Sequence, residues 1–153
     1  MIKPKKKILI LGGSGLLGSH CVEFFKKKYD LYWTFTDYEK KNLDKKSFHF
    51  KYPDKKNLIN YLDEINPHII INCIGFVSVD ESEKNKKLAY ELNANIINDI
   101  IKKLNSKKNP KTFFVQISSG GVYGNHLNKK YKPWLEDDFL RPLSNYAKSK
   151  LEG

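Results

Sequence analysis

The chain has 153 residues, 40% of them apolar, enough for one domain with a real core and too few for a binding domain plus a full substrate domain. Its 28 Lys and Arg against 17 Asp and Glu leave a formal charge of +11, yet Arg141 is the single arginine and the lysines are spread along the whole length. Arginine reads base edges and grips phosphate bidentately, so this composition, with no recognition motif beside it, argues against a dedicated nucleic-acid surface.

The opening MIKPKKKILILGG imitates a signal peptide, but the apolar run Ile8–Leu11 ends at Gly12-Gly13, too short for a leader's apolar region. No stretch approaches the length of a membrane span. Cys21 and Cys73 fall in a predicted helix and a predicted strand, read as two thiols in a reducing compartment. A cytoplasmic protein with no membrane partner is the expectation.

In chain order, Lys7–Leu11 (KILIL) reads as a strand buried on both faces. From Gly15 to Lys28, Leu16, Leu17, His20, Cys21, Phe24 and Phe25 recur at helical spacing, and three lysines close the segment. Leu31–Thr36 is a second strand, Phe48–Tyr52 a weaker third, and Lys55–Ile65 a helix stopped by Asn66-Pro67. His68–Ile74 is the fourth strand. A long helix is expected from Ser82 through Leu104, with Leu88, Leu92, Ile96 and Ile100 on one stripe, and Lys111–Ser118 as the fifth strand. Ser119–Leu143 reads as loop, and Ser144 as the N-cap of a helix running to the last residue. Alternating strand and helix predicts a doubly wound parallel α/β sheet. Because the chain stops inside that last helix, it reads as an incomplete domain, with a C-terminal substrate-binding part absent.

Residues 12–18, GGSGLLG, follow a strand and open a helix. Gly12, Gly15 and Gly18 satisfy G-x-x-G-x-x-G, and Gly13, Gly15 and Gly18 satisfy G-x-G-x-x-G. Such glycines permit a tight turn, let backbone approach a pyrophosphate, and pack helix on strand. The helix N-terminus then offers its free N–H groups to the phosphates. The turn Gly12, Gly13, Ser14, Gly15, Leu16, Leu17 and Gly18 is thus the candidate dinucleotide site. Asp37, 19 residues after Gly18, is placed to bind a ribose 2′-hydroxyl and to repel a 2′-phosphate, which favours NAD. Lys40 and Lys41 follow it and could accept that phosphate, so NADP stays open; a solvated turn residue is the alternative for Asp37.

Near the C-terminal end, Tyr146 and Lys150 stand four apart in NYAKSK, on one face of a helix. A phenol of ordinary pKa ~10 is a poor proton donor at neutral pH; a neighbouring ammonium favours its anion and makes the pair a candidate acid/base. Ser119, after the fifth strand, lies at the carboxyl edge where open α/β sheets bind ligands, and could hydrogen-bond a substrate carbonyl. The four histidines, His20, His49, His68 and His126, show no metal-ligand spacing, and Asp137-Asp138 reads as a solvated loop. No metal is expected.

On these residues, together with INCIGFVSVDESE (71–83), ELNANIIN (91–98), QISSGGVYGN (116–125) and WLEDDFLRPLSNYAKSKLEG (134–153), the sequence resembles the extended short-chain dehydrogenase/reductases, and within them the dTDP-4-dehydrorhamnose reductase-like group. The resemblance implies a Rossmann domain. It makes Ser119 the catalytic Ser/Thr, Tyr146 the acid/base, and Lys150 the residue that holds the cofactor ribose. It has Cys73, Ile74 and Gly75, in the stretch to Val77, line the cofactor, and Asn93 support the site. It further implies an NAD(P)-dependent oxidoreductase acting on a nucleotide-linked 4-keto sugar, and a homodimer through the long helix and the Tyr146 helix. Ser118-Ser119-Gly120-Gly121-Val122-Tyr123 departs from the group's Ser-Thr-Asp-Tyr-Val-Phe toward the wider epimerase/dehydratase pattern. An epimerase or dehydratase, and a non-catalytic NAD(P)-binding regulatory subunit, are the alternatives.

Overall fold

The structure is a computed structural model and describes residues 4–36, 45–106, 112–125 and 133–153. Two compact units divide the chain: residues 1–74 with 99–117, and residues 75–98 with 118–153.

The first unit carries a five-stranded sheet. Its strands are β1 (Lys7–Leu11), β2 (Asp30–Phe35), β3 (Ser47–His49), β4 (Ile69–Asn72) and β5 (Phe113–Gln116), in the order β3-β2-β1-β4-β5 and parallel throughout. This is the Rossmann order. Crossovers that run outward in both directions from β1 place helices on opposite faces, given their right-handedness. The doubly wound expectation holds.

Ile8, Leu9, Ile10 and Leu11 are all at most 1% exposed, as an unbroken apolar run must be when both sheet faces are covered. Ile8, Ile10, Leu31, Trp33 and Phe35 form one core cluster, capped by Cys21, Val22, Phe25 and Tyr29. The first helix, α1, spans Leu16–Phe25, and α2 spans Lys55–Ile65, its Asp54 N-cap accepting from the Asn57 backbone N–H. Several predicted boundaries shift: β2 is Asp30–Phe35 rather than Leu31–Thr36, and β4 is Ile69–Asn72 rather than His68–Ile74. The lysines Lys26–Lys28 lie beyond α1 rather than inside it, because the chain turns back there through Lys28 and Tyr29 N–H bonds to the Phe25 carbonyl. The third strand begins one residue earlier than expected and stops at His49, with one further ladder bond from Phe50 N–H to the Phe35 carbonyl. The fifth strand covers only Phe113–Gln116 of the predicted Lys111–Ser118.

The long helix expected from Ser82 is not one helix. Ser78 is the cap: its Oγ accepts from Glu81 N–H, starting α3 (Val79–Lys84), and Ser82 sits inside that helix, its hydroxyl donating to the Ser78 carbonyl. Asn85 then caps α4 (Lys86–Tyr90) through Leu88 N–H. A π-helical turn, Glu91–Asn95, leads into α5 (Ile96–Ser106). The wider turn rotates the buried face. Ala89, Asn93, Ala94, Ile96, Ile97 and Ile100 are buried, whereas Leu88 and Leu92 of the predicted stripe are half-exposed. The last helix, α6 (Asn145–Glu152), is capped by Ser144 Oγ accepting from Ala147 N–H, as expected. Among the described residues no helix is long and apolar enough to cross a membrane.

Candidate active site

The glycine turn joins β1 to α1. Gly12 has φ +75°, a conformation open to glycine, and its N–H donates to Thr34 Oγ1 at 2.8 Å. Gly15 N–H closes the turn on the Gly12 carbonyl at 3.0 Å. A Cβ on Gly12 would lie 3.0 Å from the Ile74 nitrogen, one on Gly13 2.9 Å from Trp33 Cβ, and one on Gly18 2.1 Å from the Gly12 oxygen. Each glycine therefore has its own reason to lack a side chain.

Gly15 is the N-cap of α1; no side chain caps that end, and its first turn holds no acidic residue. A helix end with bare N–H groups and no competing carboxylate suits an anion. Leu16 is 84% exposed beside it. The turn thus fits the pyrophosphate of a dinucleotide. Cys73 and Ile74 border it through their contact with Gly12, and Asn72 holds that border: its Oδ1 accepts from Ile74 N–H, and its Nδ2 donates to Gln116 across the β4–β5 register. Asp37, Lys40 and Lys41 lie outside the described residues.

In the second unit, Ser119 has extended backbone and its Oγ accepts from Gly121 N–H at 3.1 Å, starting a 3₁₀ turn over Gly120–Tyr123. A hydroxyl used as acceptor keeps its proton for a second partner. A Cβ on Gly121 would meet Ser119 Oγ at 3.4 Å and Ala147 Cβ at 3.5 Å. Gly121 therefore lets the Ser119 loop close against α6, one residue past Tyr146. Lys150, one turn beyond Tyr146, is 6% exposed, and its Nζ lies 3.9 Å from where a Gly75 Cβ would be.

Asn93 organises this unit. It is fully buried in the π-helical turn. Its Oδ1 accepts from Phe76 N–H at 2.8 Å, and its Nδ2 donates to the Phe76 carbonyl at 3.1 Å and to Ser149 Oγ at 2.9 Å. Ser149 Oγ in turn donates to the Tyr146 carbonyl. At the start of α6, the Glu83 carboxylate accepts from both the backbone and the side-chain N–H of Asn145, each at 2.6 Å.

The structure thus gathers Ser119, Tyr146, Lys150 and Gly75 in one unit, and the seven turn residues with Cys73 and Ile74 in the other. Sequence reading gave no role to Thr34, or to Asn72 and Glu83 within the segment 71–83 it quoted. Thr34 and Glu83 act through contacts 22 and 62 residues away, which no local spacing announces. Among the described residues no three His, Cys, Asp or Glu side chains are grouped to hold a metal ion; Asp138 instead accepts from Leu135 N–H.

Residues 6–153 match the family model described as the RmlD substrate binding domain. A dTDP-4-dehydrorhamnose reductase of Aggregatibacter actinomycetemcomitans is 28% identical over 100 residues, 65% of this chain and 32% of that protein. Methionine adenosyltransferase 2 subunit beta of Bos taurus is 25% identical over 150 residues, 98% of this chain and 42% of its own. Among solved structures, a dTDP-4-dehydrorhamnose reductase from Bacillus anthracis in complex with NADP superposes with a TM-score of 0.76 at 25% identity, covering 99% of this chain and 49% of that one. The chain spans about half the length, or less, of the relatives it matches.

Proposed function

This chain belongs to the RmlD substrate binding domain family, and on that premise we propose that the protein is an NAD(P)-dependent reductase of a nucleotide-linked 4-keto sugar. The observation that carries the reading is the second unit's geometry: Lys150 buried one helical turn after Tyr146, with the Ser119 loop closed against the same helix through Gly121.

In this reading the turn Gly12–Gly18 binds the pyrophosphate at the head of α1, with Cys73, Ile74 and Gly75 lining the cofactor. Asp37, by its place in the sequence, would bind the ribose 2′-hydroxyl, which favours NAD. A nicotinamide cofactor held there would supply the hydride for the carbonyl carbon. Ser119 donates a hydrogen bond to the carbonyl oxygen and orients it, and Tyr146 delivers the phenolic proton to that oxygen. The Lys150 ammonium stabilises the phenolate left behind and holds the cofactor ribose.

Incubating the protein with a nucleotide-linked 4-keto-6-deoxy sugar and NADH or NADPH tests this. One cofactor oxidised per sugar reduced supports it. Interconversion of sugar epimers without net cofactor oxidation would replace it with the epimerase reading. The similarity to a protein named as a subunit favours a second reading, a cofactor-binding subunit of another enzyme. Saturable cofactor binding with no turnover of any keto sugar supports that one; the joint presence of Ser119, Tyr146 and Lys150 speaks against it.

A further inference from the structure

We propose that Glu83 is a positioning residue for the Tyr146–Lys150 pair; this rests on the reductase reading above. Glu83 lies near the end of α3, 62 residues before Asn145. One carboxylate oxygen accepts from the Asn145 backbone N–H and the other from its side-chain amide, both at 2.6 Å. Only a carboxylate can accept both N–H donors at once without presenting a hydrogen of its own to either. The Asn145 N–H is one of the donors that a helix start leaves unpaired, and a negative charge there is favoured by the helix dipole.

A helix of eight residues has little stability of its own, so tertiary contacts decide its rotation. Two hydrogen-bonded contacts among those α6 makes lie one turn apart. Glu83 grips Asn145, and Asn93 grips Ser149. Residues 145 and 149 are one turn apart on a single stripe; residues 146 and 150 form the adjacent stripe, about 100° round the axis. Pinning the first stripe at both ends sets the direction in which Tyr146 and Lys150 point.

The experiment is an exchange of partners in the protein at its natural length, assayed with NAD(P)H and the keto sugar. Asn145→Asp sets one carboxylate against another and should lower kcat about tenfold with KM for the cofactor unchanged, as expected for losing one charge-assisted hydrogen bond. Glu83→Gln, which keeps both contacts by turning over the Asn145 amide and gives up only the charge, should lower it less. The double variant carries the carboxylate on the α6 side and the amide on the α3 side, rebuilds both hydrogen bonds, and should recover most of the loss. A kcat for Asn145→Asp equal to wild type, or a double variant no better than Asn145→Asp, overturns the proposal. Should one single variant not fold, the double variant decides in the same way. Should the wild type reduce no keto sugar, the reductase reading fails separately. The ring-carbon resonance of Tyr146 then decides, calibrated by its displacement in Lys150→Met. A displacement in Asn145→Asp that the double variant reverses supports positioning; an unmoved resonance refutes it.

Discussion

Gly18 faces the Gly12 carbonyl so closely that a methyl group on its Cα would lie 2.1 Å from the Gly12 oxygen, well inside van der Waals contact. The helix thus begins against the backbone of the preceding strand's exit. The N-cap, Gly15, brings no side chain, so the N–H groups at the head of α1 carry no side-chain cap.

Gly18→Ala should therefore lose about 2 kcal/mol or more of stability, since backbone must move to admit the methyl group. Gly15→Ala meets the same oxygen at 3.3 Å and should cost about 1 kcal/mol or less, mainly as a poorer N-cap. Urea unfolding of the two variants compares them directly. Equal midpoints would show that the strand–helix junction yields easily.

If the turn holds a dinucleotide, NADH or NADPH should quench tryptophan emission saturably, and Gly15→Val should abolish the effect by blocking approach to the backbone. Trp33 packs under Gly13 and is the natural reporter. Asp37→Ala should weaken NADH more than NADPH. Undiminished binding by Gly15→Val would remove the turn from the site.

Asn93 is fully buried and makes three hydrogen bonds. Asn93→Leu strands the Phe76 N–H and should destabilise the protein by about 2–4 kcal/mol. Asn93→Asp keeps the acceptor and gives up the donors, so it should fall between. Thermal or denaturant unfolding ranks the three; a stable Asn93→Leu protein would mean the loop at Phe76 finds other partners.

Tyr146→Phe removes one oxygen from a half-buried side chain and should leave the fold and cofactor affinity intact. Turnover should drop about 10²–10⁴-fold, the usual worth of a positioned proton donor. Steady-state kinetics beside a cofactor titration checks this. Retained turnover would point to a different acid.

Much of the fold was legible because its signals are local. KILIL between lysines and glycines could only be a strand buried on both sides, and Lys55–Ile65 ended where Asn66-Pro67 required. The glycine turn was legible for the same reason. The broken helix over residues 79–106 was not, since Ser78 and Asn85 as caps lie in a polar stretch where apolar period is silent, and a π-helical turn leaves no compositional trace.

By itself the sequence determined the parallel sheet and the glycine turn after β1, and it offered Tyr146 and Lys150 as a candidate pair, all from short-range order: periodicity, glycine placement, spacing by one helical turn. Tertiary structure decided which distant residues hold these in place. Thr34 reaches Gly12, Asn93 ties Phe76 to Ser149, and Glu83 clasps Asn145 across separations of 22, 17, 56 and 62 residues. Such pairings satisfy buried or terminal N–H and C=O groups, a demand that arises only once the chain has folded and water has gone.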